Sequence, residues 1–379
     1  MLSFWEKNSF LHYDYIIIGS GIVGLSTACS LKEQQPTASV LVLERGVLPS
    51  GASTKNAGFA CIGSPTELLS DLQKMSESDT LSLLELRWRG LHRLRQRLSD
   101  EKIGYLALGS YELISDKESF CLDHLTYLNQ LIYPIIGKIA FSETPELLLP
   151  FGFNRQYVKT LVKNHAEGQL DTGKMMRSLW EYANSLGVIV TTGAKVQQII
   201  PQNNTVQLVV ESNVGQTNIT YCAHRQVAIC TNAFAKQFLP DADIRPGRGQ
   251  VLVTKPIETL PFQGIFHYDE GFYYFRNYEN RVILGGGRNL DFEGETTTDL
   301  HNTTNITDNL IQQLHQIILP NTAFEIDSYW AGIMAFGKDK MPILQRVDAQ
   351  IVAGVRLGGM GVAIGSHLGD SLANMLLNA

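Results

Sequence analysis

The chain has 379 residues, 44% of them hydrophobic and 18% charged, with a formal net charge of −6. That length favours two domains with a sizeable buried core, and an acidic balance without basic clustering argues against a nucleic-acid surface. Five cysteines with no CxxC pair argue against a disulfide framework and suit a reducing, cytoplasmic setting, while the sequence offers neither a signal-peptide pattern at residues 1–13 nor an apolar run long enough for a transmembrane segment.

Residues 13–18 are aromatic and β-branched and predict a buried strand. Glycines follow, then residues 25–31 predict a helix and 40–43 a second apolar strand ending at Glu44, an order that implies parallel pairing. The pattern turns helical over 68–98, where the basic run from Arg87 to Arg97, broken by Leu91 and Leu94, predicts the wet face of an amphipathic helix. From there to 150 short strands and helices mix without a clear rule. Residues 169–186 predict a helix with Asp171 or Thr172 as N-cap. Strands are expected at 188–200, interrupted by Gly193, and at 206–211, 217–222 and 227–230. Residues 250–287, aromatic and β-branched with a turn signal at Glu279-Asn280, predict an antiparallel sheet. The polar stretch 296–309 reads as a loop leading into a helix at 311–318. Strand 351–354, a glycine run and a closing helix complete the chain.

Three segments carry chemistry. The first is Gly19-Ser20-Gly21-Ile22-Val23-Gly24, between a strand and a helix. Gly19 permits the tight turn, Gly21 lets the backbone approach a pyrophosphate, and Gly24 lets the helix pack on the strand. The phosphates would meet a helix N-terminus, whose free N–H groups favour negative charge. Glu44, about 20 residues on, is placed to accept from ribose hydroxyls and would repel a 2′-phosphate. The second is GVLPSGASTKNAG at 46–58, whose small residues allow backbone to lie against a flat ligand. The third is Leu357-Gly358-Gly359-Met360-Gly361-Val362, a second junction of glycines and helix, suited to the electron-rich N1–C2=O edge of a flavin. A nicotinamide enzyme needs only the first junction; a long dinucleotide with a tricyclic head needs both.

In order along the chain, DYIIIGSGIVGLSTA, LVLERG, GASTKNAG, EGQLDTGKMMRSLWEYANSLGVIVTTGAKV, VAICTNAFA, RPGRGQVLV, YWAGIMAFGKDKMPIL and VAGVRLGGMGVAIG resemble the D-amino-acid oxidase-like (DAO) superfamily of FAD-dependent oxidoreductases, the glycine oxidase and sarcosine oxidase group. The resemblance implies an α/β fold in which a Rossmann-type FAD-binding domain (residues 1–75, 151–246 and 330–379) is interleaved with an antiparallel or mixed-sheet substrate domain (76–150 and 247–329). It implies that Gly19, Gly21, Ile22, Val23 and Gly24 hold the pyrophosphate and Glu44 the adenosine ribose, with Arg45 beside it. Val196 would meet the adenine, and Thr231, Asn232 and Ala233 would close over the pyrophosphate. Ala52, Ser53, Thr54, Asn56 and Ala57 would run beside the isoalloxazine, and Gly332, Gly358, Gly359, Met360, Gly361 and Val362 would meet its far edge.

The implied activity is oxidation of a small amine or amino acid by hydride transfer to flavin N5, passing electrons to an acceptor that the sequence does not name. No metal ligand set is expected. Three positions depart from the family pattern. Met334 stands where relatives carry a carboxylate-binding arginine, and Ile283 stands where sarcosine oxidases carry an oxygen-activating lysine, which favours another electron acceptor. No tethering cysteine lies near 335–338, so FAD is expected to be non-covalent. Alternation along 271–277 places Phe272, Tyr274 and Arg276 on one face, making Tyr274 and Arg276 the candidate substrate residues, with Arg288, Lys338 and His267 behind them. Arg248 is expected to order the domain junction. A 2-hydroxy-acid or glycerol-phosphate dehydrogenase, or a non-catalytic FAD-binding subunit of a larger complex, are the alternatives.

Overall fold

The computed structural model describes residues 2–211 and 218–378. Its strands, numbered in chain order, form two eight-stranded sheets and a two-stranded ribbon among the described residues. The first sheet runs β17 (Ile343–Asp348), β18 (Ile351–Val355), β11 (Ile219–Ile229), β1 (His12–Ile18), β2 (Val40–Leu43), β8 (Ile189–Thr191), with β10 (Val206–Val210) and β9 (Val196–Pro201) branching from β11. Pairing from β18 through β8 is parallel, and the branch and β17 are antiparallel. The apolar run Tyr15–Ile18 that ends β1 follows from its place inside a parallel sheet. Tyr15 and Ile17 turn into a helical core on one face, and Tyr13, Ile16 and Ile18 into a second core on the other.

The helical face is built from helices Ile22–Gln34, Glu77–Leu98, Thr172–Ser185 and Gly361–Leu377. Close approach requires glycine at their crossings. A Cβ at Gly365 would stand 2.6 Å from Ile22 Cγ2, and one at Gly90 2.1 Å from the Ala363 carbonyl oxygen.

The second sheet runs β16 (Ile326–Phe336), β12 (Arg245–Thr254), β15 (Arg281–Gly286), β14 (Tyr273–Tyr278), β13 (Ile265–Tyr268), β4 (Ser110–Ile114), β6 (Thr160–Asn164), β5 (Phe141–Glu143). It is antiparallel except where β13 lies parallel to β4. One face is an aromatic cluster in which Phe266 stacks on Phe275 at 4.8 Å. The ribbon pairs β3 (Phe59–Ala60) with β7 (Gly168–Gln169).

Several expectations are corrected. The strands expected at 217–222 and 227–230 are one strand, β11, because a register shift opposite Tyr13–Tyr15 lets it continue through the polar residues His224, Arg225 and Gln226; Thr217 lies outside the described residues. The expected loop 296–309 ends early, since the helix begins at Thr304. The basic run is not a wholly wet face. The Arg97 side chain is fully buried and pairs with Glu33 at 3.0 Å and Asp370 at 2.9 Å, tying three helices together. The sheets also cut across the expected partition: β6, from the 151–246 segment, pairs within the second sheet, and helix Glu77–Leu98, from the 76–150 segment, packs on the first.

Candidate active site

A cavity of about 550 Å³ lies between the two sheets. Gly21 and Gly359, at opposite ends of the sequence, both line it. The reason is the crossing of helices Ile22–Gln34 and Gly361–Leu377, which sets their N-termini side by side. Neither N-cap residue, Gly21 or Met360, supplies a side-chain cap, whereas helices Pro65–Lys74, Glu77–Leu98 and Thr172–Ser185 are capped by Ser64, Ser76 and Asp171. Uncapped N–H groups and the helix dipole leave two positive ends facing one space.

The first turn is shaped by contact. Gly19 has φ +103°, a conformation side chains rarely adopt, and a Cβ at Gly24 would meet the Gly19 carbonyl oxygen at 1.9 Å. Gly24 therefore supports the turn from behind and does not line the cavity. The Ile22 N–H donates to Ser53 Oγ at 3.0 Å, which joins the second expected segment to the first. The buried Glu44 carboxylate accepts from Ser20 N–H at 3.1 Å, Ser20 Oγ at 2.8 Å and Gly46 N–H at 2.8 Å, so it is held in place with lone pairs to spare. The Arg45 guanidinium stacks over Phe234 at 3.6 Å. Asn232, with φ +47°, accepts from the Arg356 N–H at 3.1 Å; the Arg356 guanidinium pairs with Asp243 and Asp339, fixing this turn against the glycine run.

Ile22, Val23, Glu44, Arg45, Ala52, Ser53, Asn56, Ala57, Val196, Thr231, Asn232, Gly332, Gly358, Met360, Gly361 and Val362 line the same cavity. Thr54 and Ala233 do not: the Thr54 hydroxyl donates to the Pro49 carbonyl at 2.6 Å, and Ala233 is buried in the second core.

At the other end the cavity is walled by β12, β14, β15 and β16. Tyr274 lies against Gly285, where a Cβ would meet its ring at 2.5 Å, and edge-on to Phe59 at 5.5 Å. Burial pushes its phenol to about 12, so it stays protonated.

Arg276 does not reach the cavity. It is buried, and its guanidinium donates to the carbonyls of Leu170 at 2.6 Å, Gly58 at 3.1 Å and Asn277 at 2.9 Å. Through Nε and Nη1 it orders the backbone beneath the 52–58 segment, outside the cavity lining.

Arg288, unlike Arg276, reaches the cavity. It lines the cavity half-buried, stacked over Phe336 at 4.2 Å and Phe292 at 5.1 Å. Its Nε is buried without a partner, and among the described residues no carboxylate lies within ion-pair distance. The nearby Glu295 is fully engaged by Arg248, which donates to it at 2.6 and 2.9 Å, and by Gln250 at 2.9 Å. The expected ordering role of Arg248 thus has a partner.

Met334 lines the cavity, 3.4 Å from where a Gly359 Cβ would stand. Ile283 does not line it; Gly286 and Arg288, farther along the same strand and turn, do. His267 also borders the cavity, with its Nε2 buried and unpartnered.

Cys61 and Cys230, far in sequence from 335–338, line the cavity too. Burial pushes the Cys230 thiol to about 12 and the Cys61 thiol well above its ordinary value, so neither is a ready nucleophile. All five cysteines are free thiols. Among the described residues no helix is long and apolar enough to cross a membrane.

A family model described as DAO, FAD dependent oxidoreductase, matches residues 14–375. The bifunctional protein ThiO/ThiG of Trichormus variabilis is 24% identical over 349 residues, covering 87% of this chain and 47% of that protein. The protein of the same name from Nostoc sp. is 24% identical over 360 residues, with 87% and 47% covered. The chain spans about half the length of the curated relatives it matches. Glycine oxidase from Geobacillus kaustophilus superposes with a TM-score of 0.77 at 18% identity, covering 97% of this chain and 95% of that one. L-Proline dehydrogenase from P. horikoshii superposes with a TM-score of 0.76 at 18% identity, covering 97% and 94%. At such identity the likeness is one of fold.

Proposed function

The chain belongs to the family of FAD-dependent oxidoreductases, and from that premise we propose that it oxidises a small amine or amino acid bearing a carboxylate, with FAD held non-covalently. The cavity fits the cofactor in chemistry. Two uncapped helix N-termini suit a pyrophosphate and a pyrimidine edge that gains negative charge, and Glu44 is anchored with free lone pairs for ribose hydroxyls. Gly19, Gly21 and Asn232 would hold the phosphates, Val196 the adenine, and Ser53, Asn56 and Gly359 to Val362 the ring system. When bound, FAD supplies the two-electron acceptor, taking hydride at N5.

The observation that carries the substrate class is Arg288: a guanidinium at the cavity wall, stacked over Phe292 and Phe336, with no acid to pair with among the described residues. Burying a charge without a partner is costly, and a carboxylate from the substrate offsets that cost with a charge-assisted pair. Arg288 would orient the substrate, and the protonated Tyr274 would donate a second hydrogen bond. The placement differs from the arginine expected after WAG, whose position Met334 occupies.

Anaerobic mixing of the purified holoenzyme with amines, amino acids and hydroxy acids tests the reading through loss of flavin absorbance. Amino acids should bleach it. Arg288→Met should raise KM for them by roughly 30-fold, the equivalent of about 2 kcal/mol for a lost hydrogen bond to a charged group, while leaving FAD content unchanged. Bleaching by hydroxy acids alone would select the 2-hydroxy-acid alternative, and bleaching that Arg288→Met leaves untouched would remove Arg288 from the site.

A further inference from the structure

At the end of the first sheet farthest from the pyrophosphate turn, three side chains with metal-ligating chemistry meet: His12 at the start of β1, and Cys222 and His224 on β11. Their convergence is set by the backbone. His12 pairs with Cys222 in the parallel ladder, and the Cys222 N–H donates to the Leu11 carbonyl at 2.8 Å. Tyr13 and Ala223, the next residue on each strand, turn into the second core, so alternation puts His12, Cys222 and His224 together on the opposite face. One ligand atom from each lies within 4.8 Å of the others, and the two imidazoles stack at 5.3 Å, 15° apart.

Two imidazoles and a thiolate are the donor set that zinc-class ions choose, whereas calcium and magnesium want oxygen. Tetrahedral N and S ligands around zinc stand roughly 3.5 Å apart, so side-chain torsions alone can close the set while the sheet stays still. Both histidines are exposed and Cys222 is partly exposed, which leaves a path for the ion and a fourth position for water.

We propose that His12, Cys222 and His224 bind one zinc-class divalent ion, a surface site that staples the start of β1 to β11. Cys222 would bind as the thiolate, releasing its proton to solvent on coordination. Measured along β1 the site lies about 20 Å from Gly19, so it is separate from the cavity. Neither histidine nor Cys222 takes part in the proposed oxidation.

The test uses the tag-free, flavin-loaded full chain, stripped with a chelator and titrated with Zn²⁺ or Co²⁺ alone. One ion per chain should bind at micromolar concentration, Co²⁺ should give thiolate-type d–d bands at wavelengths beyond the flavin absorption, and Zn²⁺ should raise the melting temperature. Cys222→Ser should abolish those bands, and Cys222→Ser, His12→Ala and His224→Ala should each weaken binding at least about tenfold, with the flavin spectrum and far-UV dichroism reporting that each variant folds. No binding at micromolar ion, or binding that loses less than tenfold in all three variants, would overturn the assignment. None of these readouts depends on turnover, so the result stands apart from the fate of the substrate reading.

Discussion

Glu112 is enclosed on β4, opposite His267 in the parallel register with β13. Burial pushes its carboxyl up to about 7, against the pull of His267 and of hydrogen bonds from Ser64 Oγ at 2.8 Å and from Thr66. The neutral form is thus favoured in the folded chain. Between its ordinary value near 4.5 and about 7, the folded state holds a proton that the unfolded state has released. Stability from this group is therefore complete below about pH 4.5 and is lost as pH rises toward 7. Glu112→Gln should flatten this slope, and above pH 7 the variant should be more stable than the parent. Urea unfolding of both proteins across that range checks it; two parallel curves would refute the assignment. The arginines teach a related lesson. Arg276 and Arg288 are equally plausible binders by residue type, yet one is spent on carbonyls and the other faces the cavity with donors free. What decides is the count of partners around each guanidinium.

Among the elements, the crossing of helices Ile22–Gln34 and Gly361–Leu377 governs the cavity. Gly365 and Gly369 allow the two backbones to approach: a Cβ at Gly369 would come within 2.5 Å of Ser26 Cβ. Ser26 and Ser366 hydroxyls then meet at 3.3 Å. Gly365→Val should force the helices apart at the point where their N-termini turn toward one space. Overpacking of this kind costs about 1–3 kcal/mol, and FAD retention should fall with stability. Thermal unfolding together with the flavin content of the purified variant measures both; a variant that keeps its full flavin complement would show that the crossing does not set the site. Arg97 acts at the same scale, since its buried guanidinium joins Glu33 and Asp370 across the helical layer. The sequence pattern there showed leucines on one face and arginines elsewhere, and periodicity alone cannot tell an arginine facing water from one facing two carboxylates.

For the molecule as a whole, the cavity between the sheets makes cofactor binding and folding one equilibrium. FAD added to the apoprotein at about a hundred times its Kd should stabilise the fold by about 2.7 kcal/mol, seen as a rise in melting temperature. Acid precipitation should leave all the flavin in the supernatant and a colourless pellet, in keeping with the raised thiols of Cys61 and Cys230; yellow colour retained in the pellet would mean a covalent tether. By itself the sequence determined the β-α-β start, the Glu44 carboxylate, the two glycine junctions and the antiparallel nature of 250–287, because each follows from local backbone preference or from periodicity within a few residues. Only the tertiary structure decided that β11 is a single strand, that β6 joins the second sheet, that Arg288 and not Arg276 faces the cavity, and that His12 stands beside Cys222 and His224. Those outcomes depend on which distant segments pair and which charges find partners, and that competition is settled by burial across the whole chain, where no short window of residues can see it.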